Sequence, residues 1–179
     1  MNLNQKCSKK SEKIVRLIVT FSIILVAIFL DQISKILTHK SGKTYSILSD
    51  YLAVIPVNNS GMAFGMLGDW KYAQPMFISM TIVILVIVAI YIFWTNNNNY
   101  LLHISIAFLV GGTIGNFIDR VAFREVKDFL ALDLRIPILQ FNCNVADIFI
   151  TIGAVLLFIY LLFVDEGAPF KKRKNEDNN

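Results

Sequence analysis

MFISMTIVILVIVAIYIFW, residues Met76 to Trp94, holds no Asp, Glu, Lys, Arg or His across its whole length. A helix that crosses the hydrocarbon core of a bilayer needs about 20 mostly apolar residues, and this stretch supplies them. Three further stretches share its character: Leu17 to Leu37, the glycine-bearing Leu101 to Ile118, and Val145 to Val164. The chain has 179 residues, 55% of them hydrophobic and only 17% charged, against about 25% charged in an ordinary soluble domain. A core this small could not bury four such blocks. The fold class expected is therefore an α-helical membrane protein with four transmembrane helices.

The first span keeps its place in the mature chain on this reading. Its basic start and the run Leu17 to Leu30 resemble a signal peptide, but no small-x-small cleavage site follows. Asp31-Gln32-Ile33-Ser34-Lys35 continues instead at helical pitch. Lys6, Lys9, Lys10, Lys13 and Arg16 precede the first span, and Lys171, Lys172, Arg173 and Lys174 follow the last. Four spans put both ends on one side, and the basic residues make that side the cytoplasm. Seven Lys or Arg in the outer loops weaken this charge asymmetry without reversing it. The net charge of +4 comes mainly from these tails, with no basic patch interleaved with aromatics, so nucleic acid is not an expected partner. Headgroups of membrane lipids are.

The expected organisation is a basic cytoplasmic tail over 1–16, one membrane domain over 17–164, and a disordered cytoplasmic tail over 165–179. Outer loops span 39–75 and 119–144. They hold strand-like runs at Tyr45–Leu48, Tyr51–Val57, Asp128–Leu130 and Arg135–Leu139, bounded by turn residues. A small sheet on the outer membrane face is the consequence. Cys7 and Cys143 lack metal or redox spacing. They fall on opposite sides of the membrane, so no disulfide is expected.

Ionisable groups inside or beside a span are costly and ask for a reason. Asp31 and Lys35 end span one, Asn116, Asp119 and Arg120 end span three, and Asp147 opens span four. Asn59 and Asp128 lie in the adjoining outer loops. All share one depth on one side. Plainer readings exist for each. Asp31 and Lys35 form an i,i+4 pair, either a helix-end salt bridge or a substrate-orienting pair. Asp119 reads as structural and Arg120 as functional. Asp147 could be a helix cap, and Asp128 a turn residue. Gly111, Gly112 and Gly115 read as close helix packing. His39 and His103 read as incidental rather than as ligands.

Two carboxyl groups held together cannot both ionise easily, so one keeps a proton while the other serves as base. That pairing suits hydrolysis of a peptide by an activated water. No Gly-x-Ser-x-Gly, HExxH or Walker loop competes. A small transporter or proton channel is the alternative, but the inner halves of spans two and four offer no polar path. A non-catalytic relative would lack one Asp. A lipid-modifying transferase would need a nucleophile or metal site that the sequence does not display.

In order along the chain come Asp31-Gln32-Ile33-Ser34-Lys35, Asn59-Ser60-Gly61-Met62-Ala63-Phe64-Gly65, Gly111-Gly112-Thr113-Ile114-Gly115-Asn116-Phe117-Ile118-Asp119-Arg120, Val126-Lys127-Asp128-Phe129 and Asn144-Val145-Ala146-Asp147. Together they resemble the motifs DQxSK, NxGxAFG, GGxxGNxxDR, VxDF and NxAD of the lipoprotein signal peptidases, also called signal peptidase II. The resemblance covers nearly the whole chain. It departs at Glu125, Cys143 and Ile148, where other residues are usual. It implies a four-helix bundle with an extracytoplasmic β-cradle and a helix-bearing outer loop. It also implies an aspartic endopeptidase that cuts diacylglyceryl-modified prolipoproteins before the lipidated cysteine. Asp128 and Asp147 match the catalytic pair. Asp31, Lys35, Asn59, Gly61, Asn116, Arg120 and Asn144 match residues that shape the site or bind substrate. No metal or organic cofactor is implied. The expected setting is a monomer in the bacterial cell membrane, with both termini cytoplasmic and the active site near the outer face.

Overall fold

The computed structural model describes residues 3–49, 51–61, 70–95, 97–133, 135 and 140–170, with side chains from residue 11 onward. In chain order the elements are α1 (Leu3–Ser41), β1 (Tyr45–Leu48), β2 (Leu52–Asn59), α2 (Ala73–Trp94), α3 (Tyr100–Phe123), β3 (Val126–Asp133), β4 (Gln140–Cys143) and α4 (Val145–Ile159). A π-helical turn, Tyr160–Val164, continues α4. Four helices are long and apolar enough to cross a membrane, over Ser11–Ser41, Ala73–Trp94, Tyr100–Phe123 and Val145–Val164.

The spans outrun their sequence-based limits most at the start of α1 and the end of α3. Helix α1 begins at Leu3 rather than Leu17, so residues 3–16, expected as a tail, continue the helix. Its 39 residues reach about 58 Å, well beyond a hydrocarbon core of about 30 Å. It stops where Gly42 takes a left-handed φ of 59°, which places its N–H on the Thr38 carbonyl at 3.2 Å. Helix α3 runs on through Asp119 and Arg120 to Phe123, residues assigned above to an outer loop.

Helix α3 is the hub, packed between α1 and α4 with α2 alongside. Its glycines make this possible. A Cβ on Gly111 would lie 2.7 Å from the Ala27 Cβ of α1, and one on Gly112 would strike the Ala146 carbonyl of α4. One on Gly115 would lie 2.5 Å from the Asp31 carboxylate. Small residues let helices approach where lipid supplies no hydrophobic drive for association. At the other end Tyr160 joins Ile92, Leu102 and Ile106 in an apolar cluster. Its hydroxyl donates to Asp165 Oδ1 at 2.7 Å and accepts from Asn97 Nδ2 at 2.6 Å. His103 donates from Nε2 to the Asn97 carbonyl at 3.0 Å. This network gives the Tyr160 hydroxyl and the Asn97 amide partners inside the bundle, while the buried His103 Nδ1 has none among the described residues.

The sheet is antiparallel in the order β1-β2-β3-β4. Its strands adjoin the C-terminal ends of α1 and α3 and the N-terminal ends of α2 and α4, so it caps one end of the bundle. Val54 pairs with Leu130 and Val57 with Asp128. Three steps on β2 thus match two on β3. The extra residue falls beside Pro56, which has no N–H for the ladder. Strand β4 at Gln140–Cys143 was not expected. The expected strand Arg135–Leu139 lies, beyond Arg135, outside the described residues. So do Met62 to Gly65 of the second motif, the rest of the segment 62–69, the tail beyond residue 170, and the side chain of Cys7.

Candidate active site

Asp128 enters the site through the register of the sheet. The pairings Val57 with Asp128 and Asn59 with Val126 bring the end of β2 beside it. Asn59 Nδ2 donates to Asp128 Oδ2 at 2.9 Å, and Asn59 Oδ1 accepts the Gly61 N–H at 2.9 Å. Opposite, β4 leads into Asn144, whose Nδ2 donates to Asp128 Oδ1 at 2.7 Å. The Asp128 carbonyl accepts from His39 Nε2 at 3.0 Å.

Asp147 is placed by the start of α4. Asn144 is the N-cap: its Oδ1 accepts the Asp147 N–H at 3.1 Å, while Asp147 Oδ2 accepts the Asn144 N–H at 3.0 Å. This reciprocal capping box pins the carboxylate in one orientation. Asp147 Oδ1 accepts from Asn116 Nδ2 at 2.8 Å. Two N–H donors and a helix N-terminus therefore face Asp147, an arrangement suited to an anion. Asp31 serves the same helix end by accepting the Ala146 N–H at 2.9 Å.

Beneath the pair lies Lys35, 1% exposed. Its ammonium reaches Asp31 Oδ2 and Asp119 Oδ2, both at 2.8 Å, and Asn116 Oδ1 at 2.9 Å. An ammonium can only donate, so the Asn116 atom that meets it must be the carbonyl oxygen. The amide nitrogen is thereby turned toward Asp147. Asn144 is fixed likewise. Its oxygen serves the Asp147 N–H, which leaves its nitrogen for Asp128 and for Asn116 Oδ1 at 3.0 Å. One buried lysine and one helix N-terminus thus set the polarity of the two amides that link the carboxylates.

The two carboxylates border a single cavity of about 310 Å³. Asn59, Gly61, Asn116 and Arg120 line it too, with Val126, Phe141, Asn142, Cys143, Ile150 and Thr151. Asp31, Lys35, Asp119 and Asn144 lie buried behind it. The structure thus joins all the expected site residues but sorts them into a wall and a support. Arg120 is the cation of the wall. Its guanidinium stacks 5.3 Å from the Phe77 ring centroid, and its buried Nε has no hydrogen-bond partner among the described residues.

Burial pushes the Asp128 carboxyl above its ordinary 3.8, and the Asp147 charge adds to the rise, against the Asn59 and Asn144 amides, which favour the anion. The Cys143 thiol is pushed up to about 12, by burial first and then by the Asp147 and Asp128 charges. It stays a neutral thiol, which removes it as a nucleophile.

Sequence reading missed three contributors. Gln32 donates to Asp31 Oδ2 at 3.1 Å, the Gly115 carbonyl at 3.1 Å and Asp119 Oδ1 at 3.3 Å. His39, read as incidental, ties α1 to β3. It sits one turn beyond Lys35, so the spacing 31, 35, 39 marks one helix face and could have revealed it. The cavity wall from β4, Phe141 to Cys143, carries no comparable signal.

A family model described as signal peptidase (SPase) II matches residues 23–163 of the chain. A lipoprotein signal peptidase of Pelodictyon phaeoclathratiforme is 36% identical over 152 residues, covering 78% of this chain and 88% of that protein. One of Staphylococcus carnosus is 34% identical over 149 residues, covering 81% and 91%. One of Clostridium tetani is 31% identical over 150 residues, covering 80% and 92%. Two solved structures, each titled a bacterial membrane enzyme, superpose with TM-scores of 0.71 and 0.70 at 27% identity. They cover 80% and 82% of this chain, and 87% and 94% of theirs.

Proposed function

The chain belongs to the signal peptidase II family, and from that premise we propose that Asp128 and Asp147 are the carboxylate pair with which it hydrolyses its substrate. The reaction is removal of the signal peptide from prolipoproteins. The observation that carries the catalytic reading is the shared cavity. Two carboxylates border it, one buried in the sheet and favouring its proton, the other held at a helix N-terminus by N–H donors.

Asp147 is the base on this reading and Asp128 the acid. A water between them gives a proton to Asp147 as its oxygen attacks the scissile carbonyl. Asp128 donates its proton to the developing alkoxide, which stabilises the tetrahedral intermediate. Collapse returns that proton to Asp128 and expels the amine, which takes the proton held by Asp147. The signal peptide leaves with a carboxyl group and the lipidated cysteine with a free amine. Arg120 adds positive charge beside the developing oxyanion, and Asn59 and Asn116 orient the pair.

The same premise supports the surroundings. Both termini lie in the cytoplasm by the distribution of Lys and Arg. The site then sits at the outer face, where it reaches a diacylglyceryl-anchored peptide without drawing the lipid from the bilayer. The enzyme works as a monomer in contact with membrane lipids. A transporter is not supported: the buried carboxylates, Asp31, Asp119 and Asp128, gather at one end of the bundle.

The pH profile tests the roles. Asp128 is competent as acid while protonated, so kcat/KM falls as pH rises through its raised value. Asn59→Ala removes a donor that favours the Asp128 anion, so the alkaline limb should move to higher pH. A limb that stays put or moves lower would take the acid role from Asp128.

A further inference from the structure

One face of α1 reaches the backbone of both elements that carry the carboxylates. Asp31 accepts the Ala146 N–H at 2.9 Å, one residue before Asp147. Two turns on, about 12 Å along the helix, His39 Nε2 lies 3.0 Å from the Asp128 carbonyl oxygen. A carbonyl only accepts, so this nitrogen carries the proton in the contact. Between the two, Lys35 holds Asn116 Oδ1 at 2.9 Å, and Asn116 Nδ2 reaches Asp147 at 2.8 Å. Helix α1 ends just beyond His39, where Gly42 turns the chain.

The sheet holds β3 least firmly at Asp128. Toward β2 the register breaks between the pairs Val54–Leu130 and Val57–Asp128, and a bulge disrupts the ladder locally. Toward β4 the pairing ends at Leu130–Cys143, because the chain leaves the strand at Asn144 to begin α4. Asp128 therefore stands between a bulge and the end of a ladder. The Asn59 and Asn144 amides orient its side chain, but the main chain from which that side chain hangs needs a hold of its own.

We propose that His39 is a positioning residue for hydrolysis. It holds the Asp128 carbonyl to the same face of α1 that, through Asp31, holds the start of α4, and so sets the separation of the two carboxylates. This rests on the peptidase reading above and adds a residue to it. His39 is half-buried and is not among the residues that line the cavity, so it acts through the main chain of Asp128 and not on the substrate. A shared water must be within reach of both carboxylates at once. Misplacement of a reacting group by about 1 Å costs on the order of a hundredfold in rate. The substrate is gripped by the cavity wall, so the loss falls on kcat and leaves KM in place.

The test compares His39→Gln, His39→Asn and His39→Leu with the wild type. Each is purified full-length, shown to be folded, and assayed on a diacylglyceryl-modified prolipoprotein well below its unfolding temperature. Gln places an amide N–H where His39 Nε2 stands. Asn places it where Nδ1 stands, short of the carbonyl, and Leu supplies no donor. The proposal expects kcat reduced about ten- to a hundredfold in His39→Leu and His39→Asn, KM within about twofold, and kcat in His39→Gln restored to within about threefold of the wild type. Should His39→Leu not fold, the comparison of Gln with Asn decides alone. Unchanged kcat in His39→Leu and His39→Asn at lowered thermal stability would overturn the proposal, as would equal losses in all three variants or a rise in KM with kcat held. If the wild type leaves the lipid-modified precursor uncut, or Asp128→Asn cuts it equally well, the peptidase reading fails and the positioning proposal with it.

Discussion

Lys35 shows at the scale of a residue why the polar cluster exists. A lone ammonium at this burial would be prohibitive. Flanked by Asp31 and Asp119 it becomes a closed ionic unit that also orients Asn116. Lys35→Met leaves two buried carboxylates without a cation and should cost about 3–5 kcal/mol, read as a large fall in thermal stability in detergent. Asp119→Asn keeps the Lys35–Asp31 pair and should cost less, about 1–3 kcal/mol; cleavage lost as fully as with a change to the carboxylate pair would contradict its structural role. Cys143 is the opposite case, in the wall of the cavity beside Asp128 and Asp147. With its thiol pushed up to about 12, it carries almost no thiolate at neutral pH. Cys143→Ala should keep most activity, and a thiol alkylator should leave cleavage intact over the assay. Rapid inactivation by the alkylator would show that the cavity lowers this thiol's pKa instead.

Helix α3 carries the argument at the scale of an element. Its glycine face sets how near α1 and α4 come, and so how Asp31, Asn116 and Asp147 meet. Gly112→Ala places a methyl group against the Ala146 carbonyl, which is backbone and cannot rotate away. Overpacking of this kind costs about 1–3 kcal/mol. Because Ala146 precedes Asp147, kcat should fall along with thermal stability; unchanged kcat at lowered stability would show that the carboxylate is not held by this packing. The helices were legible in the sequence because a bilayer demands a long apolar run, which little else imitates. The residues Tyr45–Leu48 and Asp128–Leu130 were legible as strands through their apolar content and flanking turns. Strand β4 was not, since four residues are too short for their polar-apolar alternation to stand out, and its pairing with β3 is a tertiary fact. The start of α1 and the end of α3 fall short in the sequence reading because charged residues there read as span limits. Arg16 and Asp119 are instead inside their helices, and Asp119 meets the Lys35 ammonium there.

The whole molecule is a division of labour between bundle and sheet. Asp31, Lys35 and Asp119 from α1 and α3 form the support with Asn144; Asn116 and Arg120 of α3 join the wall; Asp147 comes from the start of α4, and Asp128 from the sheet. The co-localisation of these groups was legible because each lay at one depth in a four-span topology. The partition into wall and support was not, because it depends on which way each helix turns. The central claim is that hydrolysis needs both Asp128 and Asp147 and a substrate that carries its lipid. The most direct measurement compares cleavage of a lipid-modified and an unmodified prolipoprotein by purified wild type, Asp128→Asn and Asp147→Asn, each shown to be folded. Cleavage of the lipid-modified precursor by the wild type alone, with both variants reduced at least a thousandfold on the order expected for loss of a catalytic group, is the predicted result. Substantial cleavage by either variant would contradict the account.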